Sequence, residues 1–154
     1  QADADQFAKQ RIWEARRAIS PALYRIKPTK INEDIVVPRG CIQEMFNALR
    51  KISEKYNLTI ANFGHAGDGN IHVNVMTDKS NPEEFKRAKK AVRDIFEAAL
   101  ELGGTISGEH GVGITKKQYI GMELPDINIK LMKAVKNIFD PAGILNPGKI
   151  FPDK

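Results

Sequence analysis

Only three histidines occur among the 154 residues, His65, His72 and His110, and all of them lie in or beside glycine-rich turns. Imidazole titrates near neutrality and is the commonest metal ligand, so such a cluster points to proton transfer or metal binding. His65 and His72 flank AGDGNI, and an Asp-Gly pair between two alternating runs is a strong hairpin signal. With Asp68 and Gly69 as a two-residue loop, His65 falls directly opposite His72 on the same face. Opposed Cβ atoms are about 4.5–5.5 Å apart, close enough for two rings to share one metal ion. Alternation turns Ile71, Val73 and Val75 toward a core and His72 and Asn74 to the other side. A second motif, SGEHGVG, sets Glu109 and His110 between Gly108 and Gly111, where the chain can turn tightly and offer both side chains to one pocket. His65, His72 and Glu109 then form a two-histidine, one-carboxylate ligand set with an open position, and His110 is left as a general base. Each motif alone also accommodates a structural histidine, and Asp68 has an ordinary turn role.

The elements that must position these groups are read from periodicity. Ala8, Ile12, Ala15 and Ile19 share one stripe of a helix from about Asp3 to Ser20, stopped by Pro21; Trp13, Arg16 and Ser20 share another. Ile31–Pro38 is β-branched and short, a strand. A helix over about Arg39–Tyr56 places Ile42, Met45, Phe46, Leu49 and Ile52 at core spacing. After the hairpin, Asn81 as N-cap and Pro82 at the first helical position open a helix that buries Phe85, Ala88, Val92, Ile95, Phe96 and Ala99 and ends at Gly103-Gly104. A short strand runs into SGEHGVG, and a last helix, about Asp126–Phe139, is expected to bury Ile127, Leu131, Val135 and Ile138. The order helix, strand, helix, hairpin, helix, strand, helix predicts an α+β fold, a ferredoxin-like antiparallel sheet with helices packed on one face.

Composition bounds the function. Hydrophobic residues make up 42% and charged residues 28%, the range of a folded globular domain. The net charge of +5 suits an anionic substrate, a phosphate-bearing cofactor or an acidic neighbouring domain. The basic residues are scattered among acidic ones with no arginine stripe interleaved with aromatics, which argues against nucleic acid. One cysteine, Cys41, cannot form an internal disulfide and fits a reducing compartment. No apolar run reaches the roughly 20 residues of a transmembrane span, and the start lacks a secretory pattern, so the expected location is cytoplasmic. The sequence opens without Met and already inside a helix, which suggests a piece dissected from a longer protein.

Three segments in order, HAGDGNIHVN, GTISGEHGVG and FDPAGILNPGKIF, resemble the C-terminal domain of FAD-linked oxidases of the vanillyl-alcohol oxidase and p-cresol methylhydroxylase superfamily. The likeness runs from the WEAR segment at Trp13 to the C-terminus and is nearest the branch that holds the flavin-bearing chain of glycolate oxidase, D-lactate dehydrogenase and D-2-hydroxyglutarate dehydrogenase. It implies that His65, His72 and Glu109 hold a divalent metal, often zinc, and that His110 is the base. Asn74 would contact the substrate, and Arg16 and Ser20 would bind its carboxylate. Ser20 stands where some relatives have threonine, and Lys30 is a further candidate at a place that varies between branches. Arg16 and Ser20 lie four apart on the expected helix, so both can face one ligand, although a surface salt bridge is the ordinary role of such an arginine.

The same resemblance makes Asn146 and Lys149 flavin neighbours, within a tail over residues 140–154 that returns toward an FAD-binding domain absent from this sequence. The implied reaction is oxidation of a small D-2-hydroxy acid of the glycolate or D-lactate type to the 2-oxo acid. FAD would be held mainly by the absent domain, so the isolated chain is expected to be inactive, and the apolar face left uncovered could pair it as a homodimer. Two other readings compete: a free-standing metal- or ligand-binding regulatory module, and a metal-dependent hydrolase. The hydrolase leaves LNPGKI without a purpose.

Overall fold

The structure, a computed structural model, describes residues 2–152. Helix α1 (Ala2–Ala22) leads through a 3-10 turn at Leu23–Arg25 into strand β1 (Thr29–Val36). A second 3-10 turn, Arg39–Cys41, opens α2 (Ile42–Tyr56), followed by β2 (Thr59–His65), β3 (Asn70–Thr77) and α3 (Pro82–Glu101). After a 3-10 turn at Lys117–Tyr119, the short α4 (Ile120–Glu123) precedes α5 (Asp126–Phe139). Pro21 lies inside the last turn of α1 and does not stop it.

All strand pairs are antiparallel, in the order β1-β3-β2. The expected last strand is reduced to one bridge, Thr105 beside Val36 on the outer edge of β1. Glycines at 103, 104 and 108 leave little chain to extend a ladder there, and the carboxylate of Glu123 takes the Thr105 hydroxyl at 2.8 Å and the Ile106 amide at 3.0 Å. With that bridge counted, the order is the ferredoxin-like one, and the fold is α+β as the element order implies.

One face of the sheet carries the core. Ile35, Ile71, Val73 and Val75 meet Met45, Leu49 and Ile52 of α2 and Ala88, Val92, Ile95, Phe96 and Ala99 of α3, all buried. Helix α3 begins as its capping residues dictate: the Asn81 side chain accepts the Glu84 amide at 3.1 Å, and Pro82 sits at the first turn. Gly103, at φ +74°, lets the chain leave after the last turn.

Three expectations of burial fail. Ile127, Leu131, Val135 and Ile138 of α5 are 69%, 64%, 49% and 75% exposed, so this stripe is not part of the core. The reason is space: α2 and α3 already cover the apolar face of a sheet only three strands wide. Phe46 is 38% exposed and Phe85 is half-buried; Phe46 lines a cavity of about 110 Å³ with Gly64, His65 and Asn70. Among the described residues, no helix is long and apolar enough to cross a membrane.

Candidate metal and proton-transfer site

The hairpin loop is longer than its Asp-Gly pair suggests. His65 pairs with Asn70, leaving residues 66–69 as the loop, and the residue opposite His72 is Phe63. The Asp68 carboxylate accepts the Asn70 amide at 3.1 Å, and Gly69 takes φ +82° with its Cα against the Val37 carbonyl, where a Cβ would meet that oxygen at 2.0 Å. His65 is therefore a diagonal neighbour of His72. The slip is two residues, which preserves the side-chain face, and the ring centroids lie 5.5 Å apart at 80°.

That face of β3 carries Asn70, His72 and Asn74, opposite Val36, Asp34 and Asn32 of β1. The loop after Thr105 brings up the remaining groups. Glu109 places Oε1 3.4 Å from His65 Nε2 and Oε2 3.8 Å from His72 Nε2, and His110 stacks on His72 with centroids 5.4 Å apart and planes at 19°. Ligand atoms of His65, His72 and Glu109 all lie within 4.8 Å of one another. Donors bound at about 2.0–2.2 Å in a tetrahedron are about 3.3–3.6 Å apart, so this set needs only small movements to close on an ion. His72 is buried, and burial pushes its pKa down against the pull of Glu109 and Asp34, which keeps the ring neutral as a metal ligand must be.

Asp34 is not singled out by its sequence context, yet it organises the loop. It is fully buried; its Oδ2 accepts the amides of Gly108, Glu109 and His110 at 2.9, 2.8 and 2.9 Å, and its Oδ1 accepts Asn70 Nδ2 at 2.5 Å. Burial acts to raise its pKa, but the His110 amide, Asn70 and the Glu109 amide outweigh it and hold the carboxyl below its ordinary range. Lys116, also buried, donates to the carbonyls of Asp34 and Ile106 at 2.8 and 2.7 Å, with Nζ 3.8 Å from the Asp34 carboxylate. The contacts with Asp34 join residues 36 to 82 positions apart, a separation that no local motif reveals.

Helix α1 approaches the same face. The Arg16 guanidinium lies 5.2 Å from the Phe63 ring, whose centroid is 5.5 Å from that of His72. Ser20 Oγ accepts Lys30 Nζ at 2.5 Å, and Lys30 also sits 5.2 Å over the Tyr24 ring. Asn74 is fully buried and donates to the carbonyls of Ala61 and His72 at 3.0 and 3.3 Å, while its Oδ1 has no partner. Phe63, which links Arg16 to His72, is legible in sequence only as an alternation position.

Asn146 and Lys149 are not among these groups. They belong to a tail folded on buried Asp140, which accepts the Ile144 and Leu145 amides at 2.9 and 3.0 Å and pairs with Lys136. Asn146 is exposed at φ 45°, and the tail returns to the glycine-rich loop through the Ile150 amide, which donates to the Gly113 carbonyl at 2.7 Å.

Comparison with known proteins identifies the family. Residues 1–150 match the family model described as FAD linked oxidases, C-terminal domain. The chain is 50% identical over 151 residues to glycolate oxidase subunit GlcD of Bacillus subtilis, covering 98% of this chain and 32% of that protein. It is 36% identical over 143 residues to D-lactate dehydrogenase of Anaerostipes hadrus, covering 92% and 30%. With D-2-hydroxyglutarate dehydrogenase of Stutzerimonas stutzeri it shares 40% over 146 residues, covering 92% and 31%. The chain thus spans about a third of the length of these relatives.

Proposed function

The chain belongs to the family of FAD-linked oxidase C-terminal domains, and from that premise we propose that it is the substrate- and metal-holding part of an FAD-dependent oxidoreductase. The reaction is oxidation of a small D-2-hydroxy acid, of the glycolate or D-lactate type, to the 2-oxo acid. The observation that carries this reading is the convergence of Glu109 on His65 and His72, at 3.4 and 3.8 Å, with His110 stacked beside them. The donor set suits a divalent ion, with zinc the first candidate.

When bound, the metal supplies Lewis acidity toward the hydroxyl oxygen and FAD supplies the two-electron acceptor. Arg16 clamps the substrate carboxylate from α1, its guanidinium steered by the Phe63 ring, and Ser20 with Lys30 completes that end of the pocket. A ring nitrogen of His110 takes the hydroxyl proton while the carbon-bound hydrogen leaves with its electron pair. Asn74, with one buried oxygen unpaired, offers an acceptor on the same face. The exposed apolar stripe of α5 and the tail with Asn146 and Lys149 are assigned to contact with the flavin-binding part, so the reading predicts no turnover by this chain alone.

The test joins the chain to a flavin-binding part and follows bleaching of the flavin absorbance on adding glycolate or D-lactate. His110→Ala is expected to slow bleaching by about 10²–10⁴-fold, the usual worth of a general base. Arg16→Ala is expected to act mainly on KM. Equal bleaching rates in wild type and His110→Ala would overturn the assignment.

A further inference from the structure

We propose that Asp34 is the positioning residue of this site: one buried carboxylate that fixes the loop presenting Glu109 and His110 and sets the tautomer of His72. The inference rests on the metal-site reading above and deepens it. Three successive amides, of Gly108, Glu109 and His110, point at a single oxygen of Asp34 at 2.8–2.9 Å. Consecutive N–H groups wrapped around one anion form a nest, and filling it with a carboxylate fixes the backbone at each of the three residues. Two of those residues are the proposed ligand Glu109 and the proposed base His110. Gly108 must be glycine for this to work, since a Cβ there would meet Asn70 Nδ2 at 2.3 Å and Asp34 Oδ1 at 3.1 Å.

The second oxygen faces His72. Asp34 and His72 are directly paired across β1 and β3, with Oδ1 3.9 Å from Nδ1, and that nitrogen is buried without a hydrogen-bond partner. A closing movement of about 1 Å makes a hydrogen bond. A proton on Nδ1 would then be held by Asp34, leaving the Nε2 lone pair directed toward Glu109 and His65. Histidines that bind metals are commonly oriented in this way by a carboxylate on the other nitrogen, and removing it typically weakens metal binding about 10–100-fold. Asp34, His72 and His110 also offer ligand atoms within 4.8 Å of one another, but Asp34 is the weaker ligand, since Oδ2 already accepts three amides and Oδ1 accepts Asn70 at 2.5 Å, which leaves it one lone pair for the His72 N–H. Its role is exerted through its neighbours.

Two measurements test this, neither of which reads activity, and the first needs no variant. Nitrogen-15 spectra of the wild-type imidazoles, recorded without metal, should show His72 in the Nδ1–H form; an Nε2–H form overturns the proposal. Zinc titration against a chromophoric chelator should show Asp34→Asn binding about 10–100-fold more weakly than wild type while retaining its circular dichroism, with faster exchange of the Gly108, Glu109 and His110 amides. Unchanged affinity and unchanged exchange in a folded Asp34→Asn chain also overturn it. If wild type binds no zinc but shows protected amides and the Nδ1–H form, the metal reading fails and the positioning role stands.

Discussion

Adjacent residues of β1 experience opposite environments. Asp34 points to the polar face and is held ionised by amides, whereas Glu33 points toward the core, pairs with Val73, and has its pKa pushed up to about 7, chiefly by burial with Lys116 pulling it partly back. A carboxyl whose folded pKa is raised binds its proton more tightly in the native state. Its contribution to stability is full below its ordinary pKa of 4.5 and is lost as pH rises through about 7. Glu33→Gln should therefore gain stability over wild type on going from about pH 4 to about pH 8, by on the order of 3 kcal/mol. Denaturant melts of both chains across that range check this, and parallel curves would contradict it. The three histidines and Glu109 were legible as chemistry because residue type and glycine context are local signals. Asp34 and Lys116 were not, because what sets them apart is a set of partners brought in from far along the chain.

At the scale of elements, the sequence spoke most clearly where local chemistry decides. Asn81, Pro82 and Gly103 bound α3 as their types predict, and Asn81→Ala should cost about 1 kcal/mol in denaturant midpoint analysis. No change in stability would mean that the Asn81–Glu84 bond at 3.1 Å contributes nothing. The hairpin shows a subtler case. Its position was legible from Asp68-Gly69, but the loop runs over residues 66–69 because the Asp68 and Gly69 amides both turn back to the His65 carbonyl, at 3.3 and 3.1 Å. A one-residue slip would have turned His65 away from His72; the two-residue slip kept them together. The α5 stripe misled for a different reason. A period of 3.6 shows that a helix has an apolar face and says nothing of what covers it.

For the whole molecule, the described apolar side chains exposed on α1 and α5, among them Ile12, Trp13, Leu131 and Ile138, are not explained by the core. Leu131→Ser with Ile138→Ser should leave the stability of this chain within about 0.5 kcal/mol per site, since neither side chain is buried. The same pair should weaken association with a flavin-binding part, measured by sedimentation; loss of stability of several kcal/mol would place the stripe in this chain's own core instead. The proposed function requires that the three residues gathered at the hairpin and the glycine-rich loop hold an ion. Its most direct test is the metal content of the purified chain after incubation with zinc or manganese, beside His65→Ala, His72→Ala and Glu109→Ala. About one divalent ion per chain is expected, lost in each variant. A folded wild-type chain that retains no ion, or an ion retained undiminished when His72 is replaced, would contradict it.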